Sequence, residues 1–212
     1  MNDQAAIPVT TRSLYQKGNF YDIGPDLRGG GKSHGLEIDN YDRLWAPGWA
    51  VMLPPNGDPD QYPEKPQLIH QPKLGGTPRD LEGLAGIWII SERAKAVFEA
   101  VDPSGFAFAT CDFKLADGSP GDQRYLCNVI RELDALDEKT SKLKIKISDD
   151  YAKGKHYSFA GGASLVFKEE VIGSAHIFRT PFSGMVFCDR VLHDAVINAK
   201  MTGFWFIDAA DR

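Results

Sequence analysis

Basic residues are in the minority in this 212-residue chain: 24 Lys and Arg stand against 29 Asp and Glu, a formal net charge of −5. That balance argues against a nucleic-acid binder relying on a basic face, and leaves a basic protein or ligand open as a partner. Cysteine is scarce. Cys111, Cys127 and Cys188 are odd in number, widely scattered and without a CxxC pair, which suits free thiols in a reducing compartment better than a disulfide framework. No stretch approaches the ~20 apolar residues of a membrane span. The N-terminal MNDQAAIPVTTRSLY has no basic segment followed by an apolar core, so no secretory leader is expected and the chain reads as cytoplasmic.

Motifs for cofactors are missing too. His34, His70, His156, His176 and His193 lie far apart, none three or four residues from another, so no metal site and no cofactor is predicted. Gly29-Gly30-Gly31-Lys32-Ser33 resembles a phosphate-binding loop, but Asp26 occupies the position of its first glycine and no helical pattern follows. Each cysteine sits in an apolar stretch, the setting of an inert buried thiol.

What is present divides near residue 80. A chain of this size can bury roughly 70% of its unfolded surface, so it needs no staple to hold a core. Residues 1–80 are rich in turn formers, with GPDLRGGGKSHG at 24–35, APG at 46–48 and LPPNGDPDQYPEKP at 53–66, and read as short strands joined by long loops packed on the remainder. An early strand is expected within LYQKGNFYDIG and another from Trp49 to Leu53. Between Gly35 and Glu64 six acids (Glu37, Asp39, Asp42, Asp58, Asp60, Glu64) face one base, Arg43. The pattern is either a solvated loop surface or an acidic docking face.

Residues 81–212 are more regular and predict an α+β fold: a mixed or antiparallel sheet with a few packed helices. Ile87–Ile90 reads as a buried strand. Ser91 then offers an N-cap oxygen, and Ala94, Val97, Phe98 and Val101 recur at helical spacing before Gly105 and the strand Phe106–Phe108. Leu126, Val129, Ile130, Leu133 and Leu136 predict a second helix over 125–137. In KLKIKIS (142–148) alternation predicts a half-buried strand with a row of lysines facing water. Met185–Cys188, the cap Asp189, a helix marked by Val191, Leu192, Ala195, Val196 and Ala199, then Gly203-Phe204-Trp205-Phe206 repeat the earlier design. The shift that carries Ser91 onto Asp189 also carries Gly105 onto Gly203, Phe106 onto Phe204 and Phe108 onto Phe206. Two similar strand–helix–strand units are therefore expected. Their aromatic residues read as core, with Trp205 alone on the opposite face.

Asp134 and Asp137 fall on one face of the predicted helix, with Arg131 in reach. Paired acids can share acid and base work, so a small-molecule or nucleotide-processing enzyme using Arg131, Asp134 and Asp137 is one reading; a local ion-pair network explains the pattern more simply.

The string RELDALDEKTS at 131–141 resembles the eleventh numbered family of immunity proteins from bacterial polymorphic toxin systems. The agreement continues through Ile177-Phe178-Arg179 and the closing strand–helix–TGFxF unit, covering about residues 81–212. Its pattern falls on Arg131, Leu133, Asp134, Asp137, Ser141, Arg179 and Gly203, positions for which the resemblance implies no catalytic role and which read as fold-defining contacts. The resemblance implies a non-enzymatic cytoplasmic protein that binds and neutralises a cognate toxin, encoded nearby, by protein–protein occlusion. Neither nucleic acid nor membrane is an expected partner, and a general interaction module is the third reading. Contact candidates are Glu37, Asp39, Asp42, Asp58, Asp60 and Glu64, with Trp45, Trp49 and Tyr62 as aromatic anchors.

Overall fold

A computed structural model describes residues 17–27, 35–45, 48 and 51–212. Among the described residues, the apolar runs that are too short for helices form twelve strands in three sheets. The first sheet has the order β10-β11-β1-β12, built from β1 (Phe20–Pro25), β10 (Ile177–Arg179), β11 (Val186–Asp189) and β12 (Phe204–Asp208), all antiparallel to their neighbours. The second has the order β2-β3-β6-β7-β5-β4: β2 (Leu36–Ile38), β3 (Gln67–His70), β4 (Leu81–Leu84), β5 (Ile87–Ser91), β6 (Phe106–Lys114) and β7 (Arg124–Val129). Its one parallel pair is β3 with β6. The third is a ribbon of β8 (Lys144–Ile147) and β9 (Lys155–Ser158). With helices α1 (Glu92–Val101), α2 (Glu169–Ile172) and α3 (Arg190–Asn198), this is an α+β fold of mixed sheets.

The two predicted repeat units form, and they share a topology. In the first, β5 leads through α1 to β6, and β7 lies between those two strands, antiparallel to both. In the second, β11 leads through α3 to β12, and β1 occupies the equivalent slot. The registers agree residue for residue. Ser91 faces Arg124 and Ile90 faces Tyr125, as Asp189 faces Phe20 and Cys188 faces Tyr21. Phe106 faces Val129, as Phe204 faces Pro25. Both helices are capped as expected: Ser91 Oγ accepts from the Ala94 amide at 3.2 Å and Asp189 Oδ1 from the Leu192 amide at 3.1 Å. Side-chain clusters match as well. Lys95 lies over the rings of Phe108 and Tyr125; at the corresponding positions His193 stacks on Tyr21 and packs edge-on to Phe206. The inserted strand follows its unit in one case and comes from the chain's beginning in the other, so the units are related by a circular permutation.

Both faces of the first and second sheets are covered, which is why most of their strands read as continuous apolar runs rather than alternations. Phe98 of α1, Leu192 and Val196 of α3, and Ile90, Cys127, Ile23 and Cys188 form a core shared by the two units. Behind the first sheet, Phe178 and Phe187 pack with Phe167, Tyr157 and Leu136. Behind the second, Ile87, Ile89, Leu126 and Phe113 pack with Leu36, Ile38, Leu44 and Met52. Residues 17–80 thus supply β1 to the centre of one sheet and β2 and β3 to the edge of the other.

Three local expectations differ from the structure. Residues 125–137 are not a helix: the first part is β7, and residues 131–142 run on as an irregular segment bridged to Arg179, Phe167 and Ser164. The spacing that suggested a helix arises because a strand covered on both faces buries consecutive residues, here Leu126 and Cys127. The strand in KLKIKIS is present, but all of β8 is exposed, and Ile147 is 83% accessible. Among the described residues it pairs only with β9, whose Tyr157 is buried. Val51–Leu53 form no strand; Pro54 and Pro55 follow and cannot donate to a ladder, and the Leu53 carbonyl instead accepts from the Tyr62 hydroxyl at 2.7 Å. Trp49 and the glycine run at 29–33 lie outside the described residues.

Candidate functional site

The acidic stretch is organised around one buried amide. Asn40 Nδ2 donates to Glu64 Oε1 and to the Lys65 carbonyl, each at 3.0 Å, and its Oδ1 accepts from the Gln67 amide at 2.9 Å. This joins the 3-10 turn Tyr41–Leu44 to the approach to β3. Glu37, Asp39, Asp42, Asp58 and Asp60 are exposed. Asp58 Oδ1 accepts from the Asp60 amide at 2.9 Å, which shapes the loop tip. Glu64 differs from these: the Arg43 guanidinium and Asn40 hold its carboxyl below the usual range. The two described aromatic candidates are tucked in. Trp45 packs edge-on to Tyr41 with its indole nitrogen buried, and Tyr62 packs on the core with its hydroxyl engaged and its pKa raised by burial.

The motif residues at 131–141 are not gathered into one site. Arg131 turns away from Asp134 and Asp137 and forks onto Asp102, with Nη2 2.9 Å from Oδ1 and Nη1 on Oδ2. Asp102 also accepts from the amides of His176 at 2.8 Å and Ile177 at 3.3 Å. The Arg131 fork and these amides outweigh burial and lower the Asp102 pKa. Asp137 Oδ1 accepts from the Lys139 amide at 2.9 Å and closes a turn, while Asp134 is exposed and contributes its carbonyl to Lys168. Leu133 packs on the core behind the first sheet. Ser141 clasps Val166 twice, accepting from its amide at 2.8 Å and donating to its carbonyl at 3.2 Å. Gly203 has φ +87°, and a Cβ there would run into the Leu81 carbonyl. No sequence pattern singles out Asp102 as the partner of Arg131, because the two lie on distant segments.

Arg179 reaches across the structure, donating to the Gly184 carbonyl at 2.9 Å and to Asn128 Oδ1 at 3.1 Å; Asn128 in turn donates to the Pro55 carbonyl at 3.0 Å. These contacts rim a cleft of about 270 Å³ between the two units, walled by Trp88, Met185, Val186 and Trp205. Trp205 therefore lies on the face opposite Phe204 and Phe206, half-buried, with Arg212 over its ring. At the back, Arg212 Nε lies 2.7 Å from Asp22 Oδ2, an ionic contact without hydrogen-bond alignment. Burial pushes the Asp22 carboxyl up to about 6 despite that cation.

The thiols are free and buried, and burial pushes Cys111 up to about 12 and raises Cys127 and Cys188 as well. Among the described residues no three His, Cys, Asp or Glu side chains gather around a metal-sized site, and no helix is long and apolar enough to cross a membrane. Comparison with curated proteins finds no match. A family model does match, and it begins well before the stretch where the motif resemblance was read: residues 19–211 take in β1, the acidic loops and both units. The chain belongs to the Imm11 immunity protein family.

Proposed function

We propose that this protein binds a cognate toxin, encoded nearby, and neutralises it in the cytoplasm by occlusion, with no chemistry of its own. The observation that carries this reading is the family match over residues 19–211, nearly the whole chain. The site geometry agrees with it: Arg131, Asp134 and Asp137, the best catalytic constellation in the sequence, point to separate partners.

In this proposal the two α/β units and the motif residues that brace them form the scaffold, and the loops of the first 80 residues carry specificity. Glu37, Asp39, Asp42, Asp58 and Asp60 face solvent and would meet a basic surface on the toxin. A standard interface of about 1,600 Å² would cover both acidic loops. Neither nucleic acid nor a membrane is part of this proposal. The test is co-expression with the toxic domain of the adjacent gene, reading growth and co-purification. Wild type restores growth and co-purifies. The combined reversal Glu37→Lys, Asp58→Lys and Asp60→Lys slows association at least tenfold and makes it less salt-sensitive. Absence of rescue and of complex would reject the immunity reading. Unchanged association kinetics would place the interface elsewhere.

A further inference from the structure

Arg179 and the exposed Arg190, which donates to the Gly18 carbonyl, stand apart from the other described arginines. Arg43, Arg79, Arg93, Arg124, Arg131 and Arg212 each lie within 4.0 Å of a carboxylate. Among the described residues Arg179 has no such partner, although it is half-buried at the cleft; its bonds go to the neutral oxygens of Gly184 and Asn128. A guanidinium offers five N–H donors, so these two bonds leave capacity for an incoming acceptor. Burial pulls the Arg179 pKa down, and Glu132 opposes the shift only at a distance. The one other charged side chain lining the cleft, Asp22, is paired with Arg212, which lies outside the lining.

The walls and position of the cleft add to this. Trp88 and Trp205 line it with Met185, Val186 and Pro25, surfaces suited to an aromatic ring. By the register match, Ile23 corresponds to Cys127 and Trp88 to Val186, and all four line it. It therefore lies where the two units meet, and such junctions are common places for recognition pockets. Its volume, about 270 Å³, suits one or two side chains rather than a large cofactor. Through Asn128 and the Pro55 carbonyl its rim is tied to the loop that carries Asp58 and Asp60.

We propose that this cleft is a recognition pocket for an acidic side chain presented beside an aromatic residue on a bound polypeptide, Arg179 receiving the carboxylate and Trp88 and Trp205 flanking the ring. The proposal rests on the immunity reading only for the source of that polypeptide, the toxin. A carboxylate would add an ion pair to a guanidinium whose present bonds go to neutral oxygens, and would add a selection for an acid to the selection for basic surface made by the loops.

The test uses the full ¹⁵N-labelled chain and no toxin. The indole N–H signals of Trp88 and Trp205, assigned with Trp→Phe variants, are followed while acetyl-Glu-Phe-amide, acetyl-Gln-Phe-amide and acetyl-Phe with a free carboxylate are added. The Glu dipeptide should give saturable shifts at both indoles and bind about tenfold tighter than its Gln counterpart, about 1.4 kcal/mol. Arg179→Gln should abolish that preference while its amide spectrum remains folded; if it does not fold, the wild-type Glu/Gln comparison decides. Equal binding of the two dipeptides, or no saturable shift, overturns the proposal. Tighter binding of acetyl-Phe overturns the side-chain assignment in favour of a chain terminus or small acid. Dipeptide discrimination without toxin rescue, or the reverse, separates this inference from the immunity reading.

Discussion

Replacing Arg131 by Met should expose how the two units are locked together. Asp102 ends α1 and is only 4% exposed. Its carboxylate binds the fork of Arg131 and the amides of His176 and Ile177, at the entry to β10. Met keeps much of the side-chain volume but removes the one cation paired with that carboxylate among the described residues, leaving a buried charge on two backbone amides and a long 3.4 Å bond from the Ser104 hydroxyl. Breaking one side of such a pair costs about 3 kcal/mol or somewhat more. For a chain of this size that corresponds to a fall of roughly 6–12 °C in Tm. The pH dependence has a definite sign. A carboxyl whose folded pKa lies below its unfolded value of 3.8 stabilises the fold above that value, and the contribution is lost as pH falls through the folded pKa. In Arg131→Met the acid loss should therefore begin at higher pH than in wild type. Urea unfolding at pH 7 and pH 4, together with the double variant Asp102→Asn/Arg131→Met, measures this. The double variant should be less destabilised than the sum of the singles by at least about 1 kcal/mol. A single-variant loss under about 1 kcal/mol at pH 7, or strict additivity, would refute the argument.

Other variants test other parts of the structure. Asp22, buried with a pKa of about 6 against an ordinary 3.8, opposes folding once ionised, so its contribution to stability falls as pH rises from about 4 to 6. Asp22→Asn should gain on wild type between pH 4.5 and 7.5 by up to about 3 kcal/mol in urea unfolding; parallel pH profiles would rule this out. The β4–β5 hairpin turns on Ala85 (φ +52°) and Gly86 (φ +78°), a left-handed pair. Ala85→Asn should raise stability by about 0.5–1 kcal/mol, and a lower Tm would show that the strain lies elsewhere. Gly203→Ala should cost about 3 kcal/mol or more, since φ and the Leu81 carbonyl both exclude a Cβ; a melt within a degree of wild type would contradict that.

The parts of the fold legible in the sequence were those written locally. Ser91 and Asp189 announced their helices because a cap acts within three residues, and the shared spacing to Gly105 and Gly203 made the repeat visible. β7 was misread because burial on both faces erased the period-2 pattern, leaving spacing that fits a helix equally well. The partners of Arg131 and Arg179 were illegible for another reason: Asp102 and Asn128 are near them only after the sheets have formed. The acidic loops were readable as charge. Only the structure separates Glu64, tied to Arg43 and Asn40, from the exposed acids, and shows Trp45 and Tyr62 turned inward.

The permuted strand also dictates the order of assembly during synthesis. Every strand of the first unit lies within residues 81–129, so β5, α1, β6 and β7 can close while the ribosome is still at work. β1 is made before all of them, yet its neighbours β11 and β12 end at Asp189 and Asp208 and are made after them. The nascent chain therefore carries β1 unpaired until β11 has been made, and the second unit closes only once β12 has followed. A stop between β11 and β12 would leave β1 without its partner on one side, and the product should tend towards aggregation rather than a smaller folded protein.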